Sequence, residues 1–483
     1  MGTRQSRGKG SVAEGSQAIN ADEVIIRVIP DPRDSHPPGP QHHPEPAIPN
    51  ERPRYVFAHV VQGNFQFYQA EDWSSDMRLA QRMGIDAFAI NIGRDVTNEK
   101  QLPLIYEIAE MNSFQVFLSF DMVYYGQAGS SNDVIRLIET FAPRKAQFLY
   151  QGKPLVSTFS GEVPGNYLDN NPDYNSAWGS LKAKLHFPKF WRRCHLVKIE
   201  VLTSPRPCWT GIDPKTVSSI DGMLSWDAWS PVSSSQDRRY KDNLAALGKQ
   251  YAAPLSAMFY KHLSAQRYGN YLYPTESWFV VEKFIALISL NPDFIEILSW
   301  NDYGESHYLR DPRPSANLPM DTTSSEKYVN HMPHEPLLDL MSYFNEWYKS
   351  GSRPLIKRSR AYVWYRTHPR DAVSKSDLLP APNGASVTED KMYIVILVSP
   401  ATKLQYISIE SGDKYYYTDL EEHETFKRKD AILLISVPFH VGDNQTVTLY
   451  DPDETALGCL VGRGITAEPE IYNFNYWSGF IEF

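Results

Sequence analysis

Eight apolar, strand-like runs recur along the middle of the chain, with amphipathic stretches between them. The runs cover residues 55–61, 85–92, 114–122, 154–160, 195–202, 222–229, 254–260 and 294–300. Helical patterns fall between them at 72–83, 102–111, 132–141, 177–185, 236–250 and 277–290, with Asp72 placed as an N-cap. A strand buried on both faces reads as a continuous apolar run, and alternation with helices implies parallel crossovers. An α/β fold with a (β/α)8 TIM barrel over residues 53–375 satisfies that order. A doubly wound sheet would call for a Gly-rich phosphate turn after the first strand, and none is present. The fifth unit has no clear helix, and the Pro-rich residues 204–214 are expected to replace it.

The flanks differ in texture. Residues 1–52 are polar and rich in Pro and His, too poor in apolar area to offset their ordering entropy, and read as a disordered tail. A helix is expected at 337–348. Residues 376–483 hold short runs rich in Val, Ile, Tyr and Thr at 393–398, 404–410, 414–419, 431–438, 446–450 and 471–483. Turns such as Ser411-Gly412-Asp413 and Gly442-Asp443-Asn444 separate them, which predicts a C-terminal antiparallel β-sandwich with a structural, accessory role.

In a parallel barrel, chemistry sits at the C-terminal strand ends. The last run ends in Trp300, Asn301, Asp302, Tyr303, Gly304, Glu305, Ser306 and His307, a density of polar groups that packing does not require. The other ends supply His59, Asn91, Asp121, Glu162, Trp226, Asp227, Tyr260, Lys261 and His262, and less clearly Glu200 and Thr203. Carboxylates and amides answer sugar hydroxyls, and indoles cover the apolar faces of a sugar ring. Glycoside cleavage needs two carboxyl groups, for which Asp121, Glu162, Asp227, Asp302 and Glu305 are the candidates. His59 stands alone on its strand, and neither His-Glu-x-x-His nor Gly-x-Ser-x-Gly occurs. Cys194, Cys208 and Cys459 lack metal-ligand spacing and form no disulfide framework. A net charge of −9 opposes a nucleic-acid partner. No apolar run is long enough to span a bilayer.

The motifs Trp300-Asn-Asp-Tyr-Gly-Glu-Ser-His-Tyr308, Gly84-Ile-Asp-Ala-Phe-Ala-Ile-Asn-Ile-Gly93, Leu118-Ser-Phe-Asp-Met122, Val156-Ser-Thr-Phe-Ser-Gly-Glu162 and Ser225-Trp-Asp-Ala-Trp229 stand in one order along the chain. Together they resemble the fungal α-1,3-glucanases, or mutanases, of glycoside hydrolase family 71. The likeness runs from Tyr55 to Tyr348 and resumes in Tyr472-Asn-Phe-Asn-Tyr-Trp-Ser-Gly479. It implies a catalytic barrel with a C-terminal sandwich and inverting hydrolysis of α-1,3-glucan in fungal cell walls, with no metal or other cofactor. It makes Asp302 and Glu305 the catalytic pair, with Glu305 favoured as acid and Asp302 as base. An inverting pair stands about 6.5–9.5 Å apart, and Gly304 permits a turn that sets such a spacing. His59, Asn91, Asp121, Glu162, Trp226, Asp227, Tyr260, Lys261, Trp300 and Asn301 would then line the subsites. The protein is expected to be a monomer acting on glucan.

The chain's start shows no apolar signal region. The expected location is therefore cytoplasmic or within a spore sac, or secreted if the start is misassigned. The competing reading is a catalytically silent barrel that binds α-glucan.

Overall fold

The computed structural model describes residues 24–29, 52–126, 129–185, 195–199, 214–216, 218–232, 235–264, 269–314, 316, 325–422 and 430–483. Cys194, Cys208, Glu200, Thr203 and residues 204–213 lie outside them, as does most of the N-terminal tail. Within that tail, however, Ile25–Ile29 forms a strand, β1. Its run of Ile-Ile-Arg-Val-Ile suits an edge strand, in contrast to the disorder expected of residues 1–52.

The centre of the molecule is a mixed α/β unit. Its strands are β2 (Tyr55–Val61), β3 (Ala87–Ile92), β4 (Gln115–Asp121), β5 (Leu149–Tyr150), β6 (Lys153–Phe159), β7 (His195–Ile199), β8 (Gly222–Leu224), β9 (Gln250–Leu255), β10 (Phe259–His262), β11 (Asn270–Tyr273) and β12 (Phe294–Ile297). Eight of them pair in parallel in the cyclic order β2-β3-β4-β6-β7-β8-β9-β12 and back to β2, so the sheet curls into a closed ring. β5 adds an antiparallel pair to β6, and β10 and β11 form a separate antiparallel hairpin. The seventh run is thus shifted from its expected 254–260. Gln250–Leu255 enters the ring, and Phe259 onward turns away into the hairpin.

Side chains alternate across these strands, as a period of two requires. Val56, Ala58, Val60, Phe88, Ile90, Val116, Leu118, Ile295 and Ile297 pack in one cluster with residues of the surrounding helices, including Trp73, Met77 and Ile105. Phe57, Ala87, Ala89, Phe117, Leu155, Leu224, Ala252 and Phe294 form a second cluster on the opposite face, which fills the ring. Both faces are buried, so the strands read as unbroken apolar runs. The Ala70–Arg82 helix begins two residues before the expected start because Gln69, not Asp72, is its N-cap. Asp72 sits at the third helical position and accepts from the Gln69 amide at 3.0 Å, closing a capping box. The helix expected at 337–348 spans Glu335–Ser350.

The remaining strands are β13 (Arg360–Arg366), β14 (Lys391–Val398), β15 (Tyr406–Ser411), β16 (Lys414–Asp419), β17 (Ala431–Pro438), β18 (Gln445–Tyr450), β19 (Ala456–Val461) and β20 (Tyr476–Glu482). They form two antiparallel sheets, ordered β1-β17-β14-β13-β20 and β16-β15-β18-β19. β13 pairs with β14 and β20 and so belongs with the C-terminal sheets, although it precedes the expected boundary at residue 375. Along β14, Tyr393, Val395 and Leu397 join the cluster around the ring's helices. Met392, Ile394, Ile396 and Val398 instead join a cluster shared with Ile407, Ile409, Val447 and Leu449 of the second sheet. The five-stranded sheet is therefore sandwiched between the ring's helices and the four-stranded sheet. Trp278 pins this junction, donating Nε1 to the carbonyls of Ile394 and Ile435, each at 3.2 Å.

Candidate active site

A cavity of about 250 Å³ opens at the C-terminal ends of the ring strands. His59 and Val61 of β2, Asn91 of β3, Asp121 of β4 and Phe159 of β6 reach it as the last inward positions of their strands. Trp226 and Trp229 follow β8; Phe259, Lys261, Tyr271 and Tyr273 come from the β10–β11 hairpin. Asp302, Glu305 and His307 come from the loop after β12. Trp226 holds φ at 56°, a left-handed conformation that costs a bulky residue on the order of 1–3 kcal/mol and is tolerated where the surroundings over-determine it.

The loop after β12 is fixed by its own backbone and by its neighbours. Ser299 Oγ accepts from the Asp302 amide at 2.7 Å, and Asp302 Oδ1 accepts from the Glu305 amide at 3.2 Å. Asn301 is fully buried; it accepts from the Val61 amide at 2.8 Å and donates to the Val61 carbonyl at 2.9 Å. Trp300 donates Nε1 to Asp76 at 3.0 Å, and Arg310 donates Nε to the same carboxylate at 2.8 Å. A loop tied at both ends to one buried carboxylate presents its middle residues with little freedom. Gly304 is not the residue that takes the turn's left-handed backbone conformation; Ser306 is, at φ 56°.

Within this loop the two carboxyls sit in different fields. Glu305 accepts an ion-pair hydrogen bond from Lys261 Nζ, and His307 Nε2 lies 3.2 Å from its Oε2. Burial pushes the Glu305 carboxyl upward, but Lys261 and His307 outweigh it and hold the group down at about 2. Asp302 is raised, first by burial and then by the charge of Glu305; His307, 3.5 Å away, opposes this. Burial depresses Lys261 and His307, yet the adjacent carboxylates raise both overall. Across the cavity, burial lifts Asp121 to about 6. One carboxyl held ionised beside another that favours its proton is the division of labour acid–base chemistry needs. Ligand atoms of Asp302, Glu305 and His307 lie within 4.8 Å of one another, a geometry that could also hold a cation. A divalent ion there would share Glu305 with the Lys261 ammonium, and the two charges repel.

Of the residues expected at the site, His59, Asn91, Asp121, Trp226, Lys261, Asp302 and Glu305 line this cavity. Trp300, Asn301 and Tyr260 do not. Trp300 and Asn301 brace the loop from behind, and Tyr260 is buried with its hydroxyl donating to the Tyr472 carbonyl at 2.6 Å. Asp227, which accepts from Ser230 Oγ, and Glu162 are buried outside the lining. The hairpin's Tyr271 and Tyr273 were not among the sequence candidates, although Asn270-Tyr-Leu-Tyr273 alternates as a strand does. One carboxyl oxygen of Asp302 and one of Glu305 lie within 4.8 Å of each other.

The profile of the family described as glycosyl hydrolase family 71 matches residues 52–482. The chain is 30% identical over 440 residues to a protein of Schizosaccharomyces pombe named glucan endo-1,3-alpha-glucosidase, an alignment covering 89% of this chain and 95% of that one. It is 33% identical over 439 residues to a Penicillium rubens mutanase, covering 88% of each. A second Schizosaccharomyces pombe protein, named ascus wall endo-1,3-alpha-glucanase, is 27% identical over 365 residues, covering 72% of this chain and 79% of that one.

Proposed function

The chain belongs to glycosyl hydrolase family 71, and from that premise we propose that it hydrolyses α-1,3-glucan of fungal cell walls with inversion, using Asp302 and Glu305 as its acid–base pair. The observation that carries this is the pair itself: two carboxyls on one braced loop, facing one cavity, with opposite proton affinities. In the reaction, one carboxyl protonates the glycosidic oxygen as the anomeric C–O bond breaks. The other takes a proton from the water that attacks the opposite face. Asp302 is the carboxyl that is raised and Glu305 the one that is lowered, which favours Asp302 as the donor. For Glu305 to be the donor, as the resemblance favours, an entering sugar has to draw Lys261 away from it.

On this reading the ring is a (β/α)8 TIM barrel and the two antiparallel sheets are an accessory β-sandwich. The connection between β13 and β14 meets the hairpin at the site, where His262 Nε2 lies 2.9 Å from Asp377 and Leu272 donates its amide to the Asn383 carbonyl at 2.9 Å. The relative named for the ascus wall supports action on a wall, including one remodelled within a spore sac. A catalytically silent glucan binder would have no use for two carboxyls of opposed proton affinity. Proton NMR of freshly released sugar tests the stereochemistry. Inversion gives the β-anomer first, before mutarotation, and an initial α-anomer would overturn it.

A further inference from the structure

We propose that Glu296, a buried carboxylate beneath the cavity, is a positioning residue for this hydrolysis: it orients His59 so that Nε2 faces the sugar bound on the cavity floor. The inference rests on the glycosidase reading above.

Glu296 and His59 stand on adjacent parallel strands, β12 and β2, where Glu296 pairs in register with Phe57. His59 is two residues further on, one inward position closer to the cavity. Glu296 Oε1 lies 2.9 Å from His59 Nδ1, and the two side chains are only 3% and 4% exposed. Phe57, Phe117, Leu155, Phe294 and Leu298 form the apolar part of the ring's interior on this face. A carboxylate in such surroundings carries a desolvation penalty that an aliphatic side chain would avoid. Among the described residues no lysine or arginine pairs with it, so its attachment is to the imidazole. Trp226 packs edge-on against the same ring, with centroids 4.9 Å apart and planes at 83°.

These contacts fix both the plane of the imidazole and its proton. In this contact Nδ1 donates to the Glu296 carboxyl oxygen, and Nε2 is the nitrogen turned to the cavity. Among the described residues Nε2 has no hydrogen-bond partner, and His59 lines the cavity beside Asn91 and Asp121. The Asn91 side-chain nitrogen is likewise buried with no partner. His59 Nε2 and the Asn91 amide, on the adjacent strands β2 and β3, thus both face the cavity, polar groups that suit a sugar hydroxyl, which both donates and accepts.

The test compares wild type with Glu296→Gln, His59→Ala and the double variant, each as full-length chain checked for folding by thermal unfolding. The kinetic substrate is soluble α-1,3-linked oligosaccharide. Glu296→Gln is expected to lower kcat/KM by about 10–100-fold. His59→Ala should do the same, and the double variant should lose little beyond either single one. Nitrogen-15 NMR of the imidazole should show Nδ1 protonated in wild type and a mixture of tautomers in Glu296→Gln. Wild-type turnover in His59→Ala would overturn the proposal without any change at 296. Fully additive losses, or an unchanged His59 signal in Glu296→Gln, would overturn it too. If wild type cleaves no glucan, the proposed function fails, and the NMR comparison still decides the orientation of His59.

Discussion

At the residue scale, the site turns on how Lys261 divides charge between Asp302 and Glu305. Lys261 and His307 keep Glu305 ionised against its burial, while at Asp302 burial outweighs the same two charges and leaves the carboxyl raised. Replacing Lys261 by Met removes the strongest opposing charge, so the Glu305 carboxyl should rise. The limb of the pH–rate profile that Glu305 governs should then move to higher pH by about 1–3 pH units. The stability consequence has a definite sign. A depressed carboxyl stabilises the fold above its ordinary value of 4.5 and loses that contribution as pH falls towards about 2. The deficit of Lys261→Met relative to wild type should therefore be full at pH 7 and shrink below pH 4.5. Chemical denaturation across that range checks it, and a deficit independent of pH would show that Lys261 does not act through Glu305.

At the element scale, the decisive piece is the loop that leaves β12. Asp76, fully buried on the Ala70–Arg82 helix, receives Trp300, Arg310 and, at 3.4 Å, Arg313. Asp76→Asn removes one of two carboxylates from Arg310, which keeps Glu335, and should cost about 1–3 kcal/mol. Turnover should fall with it, since the loop that carries Asp302 loses its anchor. Urea unfolding with parallel rate measurements tests both effects. The same loop shows why some of the site was legible and some was not. His59, Asn91 and Asp121 lie inside regular strands, where the period of two fixes which side chains face inward. Trp300 and Asn301 lie past the end of β12, where that parity lapses and sequence alone does not say which way a side chain turns. The hairpin was missed for a related reason: Phe259-Tyr-Lys-His262 continues the apolar texture of β9, and only its tertiary pairing with Asn270–Tyr273 separates it from the ring. Most of the ring strands are legible because burial on both faces leaves a simple apolar signature.

At the scale of the whole molecule, the C-terminal sheets and the ring are joined through apolar packing, the Trp278 bridge and the hairpin contacts of Asp377 and Asn383. β1 extends this unit by covering the edge of β17, and Arg27 lies 5.3 Å over the Trp278 ring. Removing residues 1–52 uncovers that edge, an invitation to strand pairing between molecules. The truncated protein should melt at lower temperature and scatter more light on heating, with kcat close to that of the full chain. An unchanged melting curve would mean that β1 adds nothing to the sheet. The central claim concerns the cavity as a whole, and one measurement meets it most directly. Reducing-sugar release is followed from insoluble α-1,3-glucan, with α-1,4-, β-1,3- and β-1,4-glucans alongside, for wild type, Asp302→Asn and Glu305→Gln. The expected result is release from the α-1,3 polymer alone, with most turnover lost in each folded variant. Near-wild-type release by either variant, or binding to the polymer without release by wild type, would contradict it.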